Sequence, residues 1–229
     1  SSLDIIWLPR QLIEVLDKRI EVLVREQYTT RQVSHRDLLT SRVGKQRPIQ
    51  YILDRTLMRP RDIIQFFNEC IRHADGKTTV NPRTIREAEG TYSRERFRAL
   101  ADEWFSIYPN LLHLAKVLRN KPENFNIEDL ALDELETNYL ELLISGQAVP
   151  GLDLNYINAV FEGGMEIEEY RKNIVLIFYK VGLFGLKISK LMPVSWSHAG
   201  GVSISRAEIS DDTRVLIHKA FWRSLGIGK

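Results

Sequence analysis

The sequence predicts a mainly α protein of the α+β class: a helical unit up to about Pro109, then a second unit whose helices lead into a small β ribbon. Three observations point there. Apolar residues recur at three- and four-residue spacing from Leu12 to Val181. Prolines or cap-forming residues open most of those stretches. From Gly182 the pattern changes to short β-like runs around a glycine-tipped loop.

Pro9 stands where a first helical residue would, and Leu12, Ile13, Leu16, Ile20, Leu23 and Val24 follow on one face. Residues 28–48 are polar, with scattered Arg and Lys and a break at Gly44, and read as a connector. Pro60 begins a second helix, with Ile63, Phe67, Cys70, Ile71 and Ala74 as its stripe and Asp62 suited to the positive end of the helix dipole. Asp75-Gly76 ends it. Asn81-Pro82 opens a short helix carrying Ile85 and Ala88, and Ser93 is read as the cap of a longer one with Phe97, Leu100, Ala101, Trp104, Phe105 and Tyr108.

The second unit, residues 110–229, is read as an acidic helix from Ile127 to Ile144, a shorter one near Leu154 to Phe161 and a third from Ile167 to Val181. Leu183 to Ser189 and Val202 to Ile209 are read as two strands, with Ser197-His198-Ala199-Gly200-Gly201 as the tip between them. Three helices followed by such a ribbon describe a winged helix. Val215 to His218 adds a last strand, and Ala220 to Leu225 a closing helix.

The chain has 229 residues, 44% hydrophobic and 27% charged, with a formal net charge of +2. That is core enough for one large or two modest units, and the total charge is no nucleic-acid signature. Residues 1–108 hold 19 Lys/Arg against 15 Asp/Glu, and residues 109–145 hold 3 against 7, so any basic surface is local. Cys70 is the only cysteine, which excludes an intrachain disulfide and a cysteine zinc site and fits a reducing cytoplasm. No apolar run approaches the roughly 20 residues of a membrane span, so no membrane partner is expected.

Independent catalysis is not expected. Val43-Gly44-Lys45-Gln46 lacks the upstream glycine and the Ser/Thr of a phosphate-binding loop. His35, His73, His113, His198 and His218 form no metal-binding pair, so no metal site is expected. His198 lies beside Ser195 and Ser197, but no nucleophile elbow accompanies them.

The sharpest constellation is Arg59-Pro60-Arg61-Asp62 at a helix start. With the following helix and the stretch from Val80 to Glu89, residues 56–92 resemble the lid of AAA+ ATPases of the origin-recognition type, within the wider AAA+/STAND-type P-loop class. In that family a Gly-Asp-x-Arg segment opens the lid helix, and its arginine, sensor 2, reaches the nucleotide's γ-phosphate. The resemblance places Arg61 in that role, with Arg59 as the alternative, because Met58-Arg59 or Arg59-Pro60 stands in place of Gly-Asp. A planar, permanently charged donor fork suits phosphate oxygens. The segment is also similar to a region following the ATPase core of bacterial and archaeal P-loop ATPases, some of which occur in defence and mobile-element settings.

These readings converge on a carboxy-terminal regulatory region of a larger P-loop ATPase, coupling nucleotide state to DNA or protein partners in a defence or DNA-maintenance system. No cofactor is expected in this chain; ATP and Mg2+ are implied only with an upstream ATPase domain, which is the first partner. The partner-facing candidates are Arg171 and Lys172 on the third helix of the second unit, and Lys187, Lys190, His198 and Arg206 around the ribbon. They would serve double-stranded DNA, a protein partner or self-association. The alternative reading is a self-contained winged-helix transcription regulator that dimerises through its amino-terminal helices; a third is a structural adaptor.

Overall fold

Prolines mark the helix starts. In the computed structural model, which describes residues 6–27, 31–39, 41–77, 79–200 and 203–227, α1 (Pro9–Gln27), α3 (Pro48–Leu53), α4 (Pro60–His73) and α5 (Pro82–Trp104) all open on proline. Proline has no N–H to lose at a first helical position and its φ is already helical. The chain is mostly helical with one small antiparallel sheet. It divides into two compact units, Ser1–Arg94 and Glu95–Lys229, with the division inside α5; the sequence reading placed it at Pro109.

In the first unit, Leu12, Leu16 and Ile20 of α1 are buried, and α1 packs against α4. The stretch expected to be a connector is structured where it is described. Ser34 and Asp37 form a capping box at α2 (His35–Leu38), Leu39 pairs with Val80 through a β-bridge, and Leu39 and Val43 are buried. His35 ties α2 to α1, because its backbone N–H and its Nδ1 both meet Asp17 Oδ1 at 2.8 Å.

Ser93 does not cap a helix. It is fully buried within α5, which runs unbroken through Gly90. Tertiary packing outweighs the weak propensities of Gly90 and Ser93: Tyr92 stacks on Phe66 of α4 with centroids 4.5 Å apart. Beside it, Glu89 is almost completely buried. It accepts from Arg55 Nε at 2.6 Å and from the Tyr51 hydroxyl at 2.7 Å, while the Arg55 guanidinium lies 3.5 Å over the Tyr51 ring. Asn81 behaves as predicted, its side chain accepting the Thr84 N–H.

In the second unit, α6 (Leu111–Leu114) leads to β1 (Asn124–Asn126), then α7 (Leu132–Ile144), α8 (Leu152–Phe161) and α9 (Ile167–Lys180). The strands β2 (Phe184–Lys187), β3 (Ser195–Trp196) and β4 (Arg214–Ile217) follow, and α10 (Trp222–Leu225) closes the chain. The sheet order is β1-β4-β2-β3. The last strand, β4, thus lies between β1 and β2, with β3 at the other edge of β2.

Beyond β1 and β3, which the sequence reading did not give as strands, two details differ from it. First, β2 pairs with β4, in the register Phe184 opposite Ile217, and with β3, while 203–209 forms no strand. Val202 and Gly201 lie outside the described residues. From Ser205 onward the chain makes a 3₁₀ turn, because the Ser205 N–H and hydroxyl both donate to Glu208 Oε2, a local alternative to a strand ladder. The same bonds, the backbone N–H foremost, hold the Glu208 carboxyl below its ordinary range. Second, α7 starts at Leu132, after a 3₁₀ turn capped by Asn126 and Asp129.

A buried polar knot joins the start of α6 to α8. Asp153, with no exposed surface, accepts from the Asn110 backbone N–H at 2.8 Å, the Asn110 side chain at 3.1 Å and the Leu154 N–H at 2.9 Å. Asn110 in turn bridges to Val149 through both side-chain atoms. Glycine is required nearby: a Cβ at Gly151 would stand 2.3 Å from Pro109 Cδ.

Two predictions follow from these buried groups. Replacing Arg55 by Ala leaves the Glu89 carboxylate buried without its cation, and urea unfolding should show a loss of about 3–5 kcal/mol; Arg55→Met combined with Glu89→Leu should cost less than that single change. At Asp153 burial outweighs the hydrogen bonds and raises the carboxyl's pKa. A raised folded pKa means stability is fully present below the unfolded value and is lost as pH rises through the folded value. Unfolding curves from about pH 4 upward should therefore show a fall attributable to this group in the native chain and its absence in Asp153→Asn.

Candidate functional site

The turn before α4 is built by hydrogen bonds that a helix period does not reveal. Asp62, in the first turn of α4 and 1% exposed, reaches back to accept the Leu57 N–H at 2.9 Å. The Thr56 hydroxyl donates to the Leu53 carbonyl. Between these anchors Met58 adopts φ +54°, a left-handed conformation that is uncommon for any residue but glycine. Arg59 is then extended at the N-cap, with φ −116° and ψ 142°, Pro60 is the first helical residue and Arg61 the second.

The structure thus brings Arg59 and Arg61 together as exposed side chains on either side of Pro60, at the N-terminus of a 14-residue helix. Asp62 does more than the dipole argument required, since it also closes the turn. Cations at the positive end of a helix are placed against its dipole. Two arginines on a helix start, backed by the buried Asp62 carboxylate, are chemically suited to phosphate oxygens. Cys70, further along α4, is buried, and burial raises its thiol pKa far above the usual range, so it is no thiolate.

The other six candidates fall into two groups. Arg171 and Lys172 near the start of α9 and Arg206 on the 3₁₀ turn converge on acids: Arg171 Nη2 lies 3.2 Å from Asp211 Oδ1, Lys172 Nζ 3.2 Å from Glu169 Oε1, and Arg206 Nε 3.1 Å from Glu169 Oε2. Lys187 ends β2 opposite Arg214, and Lys190 is exposed in the loop beyond it. His198 packs edge-on to His218, with ring centroids 5.1 Å apart, and against Trp196 at 5.6 Å. From Asn173 to Tyr179 every residue of α9 is buried, so the helix expected to offer a face to DNA is enclosed along that stretch by its own unit.

Among the described residues no cluster of three or more His, Cys, Asp or Glu could hold a metal, and no helix is long and apolar enough to cross a membrane. The sequence reading passed over the basic residues of 36–47, because a polar stretch without helical period carries no sign of the cavity it forms.

Residues 10–101 of this chain, less than half of it, match a family described as the FunZ-associated C-terminal helical domain. That description is of a helical, C-terminal domain and names no catalytic activity. No curated protein and no solved structure matches the chain.

The strained residue supplies a direct check. Met58→Gly relieves the left-handed cost while loosening the unfolded chain, so its melting temperature should equal or exceed that of the native protein. Met58→Val, branched at Cβ, should lose about 1–2 kcal/mol.

Proposed function

We propose that this chain is the C-terminal, non-catalytic region of a larger P-loop ATPase, in which the first unit serves as a lid and Arg61 reads the nucleotide's terminal phosphate. One observation carries the assignment to Arg61. The resembled lid motif has glycine two residues before its helix start, and Met58, at that place when Met58-Arg59 is set on Gly-Asp, has the φ that glycine favours. That registration puts Arg61 on the motif's arginine and leaves Arg59 as its neighbour. The similarity of residues 10–101 to a domain described as C-terminal and helical supports the position in a larger protein.

In this reading ATP and Mg2+ are held by the upstream ATPase domain, and the second unit is the output. A protein partner is favoured over duplex DNA. Neutralising phosphates needs several cations turned to solvent, whereas Arg171, Lys172 and Arg206 are engaged with Asp211 and Glu169, and the middle of α9 is buried. An exposed apolar tip, Leu191-Met192, and the exposed Phe161 and Ile144 suit protein contacts.

In the ATPase-containing parent protein, Arg61→Ala should lower ATP turnover or abolish nucleotide-dependent partner binding, by roughly tenfold or more if the contact is made in the transition state. Its melting temperature should stay unchanged. Unaltered turnover and unaltered switching would sink the assignment. Tight, salt-sensitive binding of a defined duplex by this chain as a free dimer would favour the transcription-regulator reading instead.

A further inference from the structure

The first unit has a concave site that the lid reading does not use. Between α1, α2 and the start of α3 lies a cavity of about 540 Å³, within the range of small-molecule sites. Arg36, Arg42 and Arg47 line it, and no Asp or Glu does. Its apolar lining includes Ile13, Leu39 and Ile49. Among the described residues no carboxylate pairs with any of the three arginines; Arg42 Nη1 reaches only the Lys45 carbonyl, at 3.3 Å. Three permanent positive charges around one hollow repel one another, and a ligand with negative groups would relieve that repulsion.

The frame behind them is fixed. Arg36 rides on α2, which Asp17 clamps to α1 through His35. Arg42 lies between the buried Leu39, bridged to Val80, and the buried Val43, whose turn is closed by paired backbone bonds to Gln46. Arg47 is the N-cap of α3. Donors held on separate, anchored elements are preorganised for a ligand that carries more than one negative group.

We infer that this cavity binds an organic phosphate of the nucleotide class: two or three phosphoryl groups held by Arg36, Arg42 and Arg47, with an apolar or planar body against Ile13, Leu39 and Ile49. A bare inorganic anion would leave the apolar lining unused. A nucleic-acid strand would need a line of cations with aromatic side chains to stack on, and among the described residues no Phe, Tyr or Trp lines this cavity. The site is separate from Arg61, so the two assignments stand or fall independently.

The test is titration of the whole chain with methylanthraniloyl-ADP at low salt, followed by fluorescence. Saturable binding is expected, weakened about tenfold or more by each of Arg36→Ala and Arg47→Ala and unaffected by Arg61→Ala. ADP should compete, pyrophosphate only more weakly, and adenosine not at all. Because these arginines are exposed, unchanged melting curves should accompany the loss. No saturable binding, binding that survives Arg36→Ala with Arg47→Ala, or loss of binding in Arg61→Ala would overturn the inference. So would pyrophosphate binding as tightly as ADP, or a 20-base-pair duplex (about two helical turns) displacing the probe more tightly than ADP does.

Discussion

The first unit is organised around one carboxylate. Glu89 sits on α5 with 2% of its surface exposed, where an ionised group is tolerated only with a cation and hydrogen-bond donors around it. Arg55 and Tyr51 supply both, and both belong to α3 and the turn that follows it. That pairing sets where α3 lies on α5, and so where the chain leaves toward α4. A second buried carboxylate, Asp62, completes the path by drawing the Leu57 N–H onto the α4 start. The position of Arg59 and Arg61 is therefore the end of a chain of buried polar contacts. An apolar core of the same volume would fix it less sharply, because burial is not directional.

The second unit uses the same logic with different partners. Asp153 and Asn110 join α8 to the segment entering α6, and the burial of α9 from Asn173 to Tyr179 makes that helix the centre of its core. A helix wrapped by α7, α8 and β2 along its middle contributes packing there, and the exposed surface around it is made by its first turns, by the loop after β2 and by the chain from Ser205 to Asp212. On that surface each acid of the Glu169 and Asp211 pair is matched to arginine or lysine, which lowers its net charge and its pull on phosphate.

Much of this was legible beforehand. Helix starts at Pro9, Pro60 and Pro82, the Asn81 cap and the central helix from Ile167 depend on local rules, in which each residue acts on neighbours within one turn. The arginine pair was visible for the same reason, as two charges beside a helix-starting proline. The cavity between α1, α2 and α3 was not. Arg36, Arg42 and Arg47 are spaced without period in a polar stretch, and only the docking of α2 on α1 and of Leu39 on Val80 gathers them.

The sequence by itself determined the mainly helical class, most helix starts and the placing of Arg59 and Arg61 beside a helix-starting proline, because capping, proline geometry and apolar period act over three or four residues. Tertiary structure decided the continuity of α5 through Gly90 and Ser93, the pairing of β2 with β4, the short strand β1 and the left-handed turn at Met58. The first three are settled by contacts between residues far apart in the chain: Tyr92 with Phe66, Leu186 with Val215, Phe125 with Val215. The turn at Met58 is closed locally, by the Leu57 N–H on Asp62, but that carboxylate is itself buried by the fold around it.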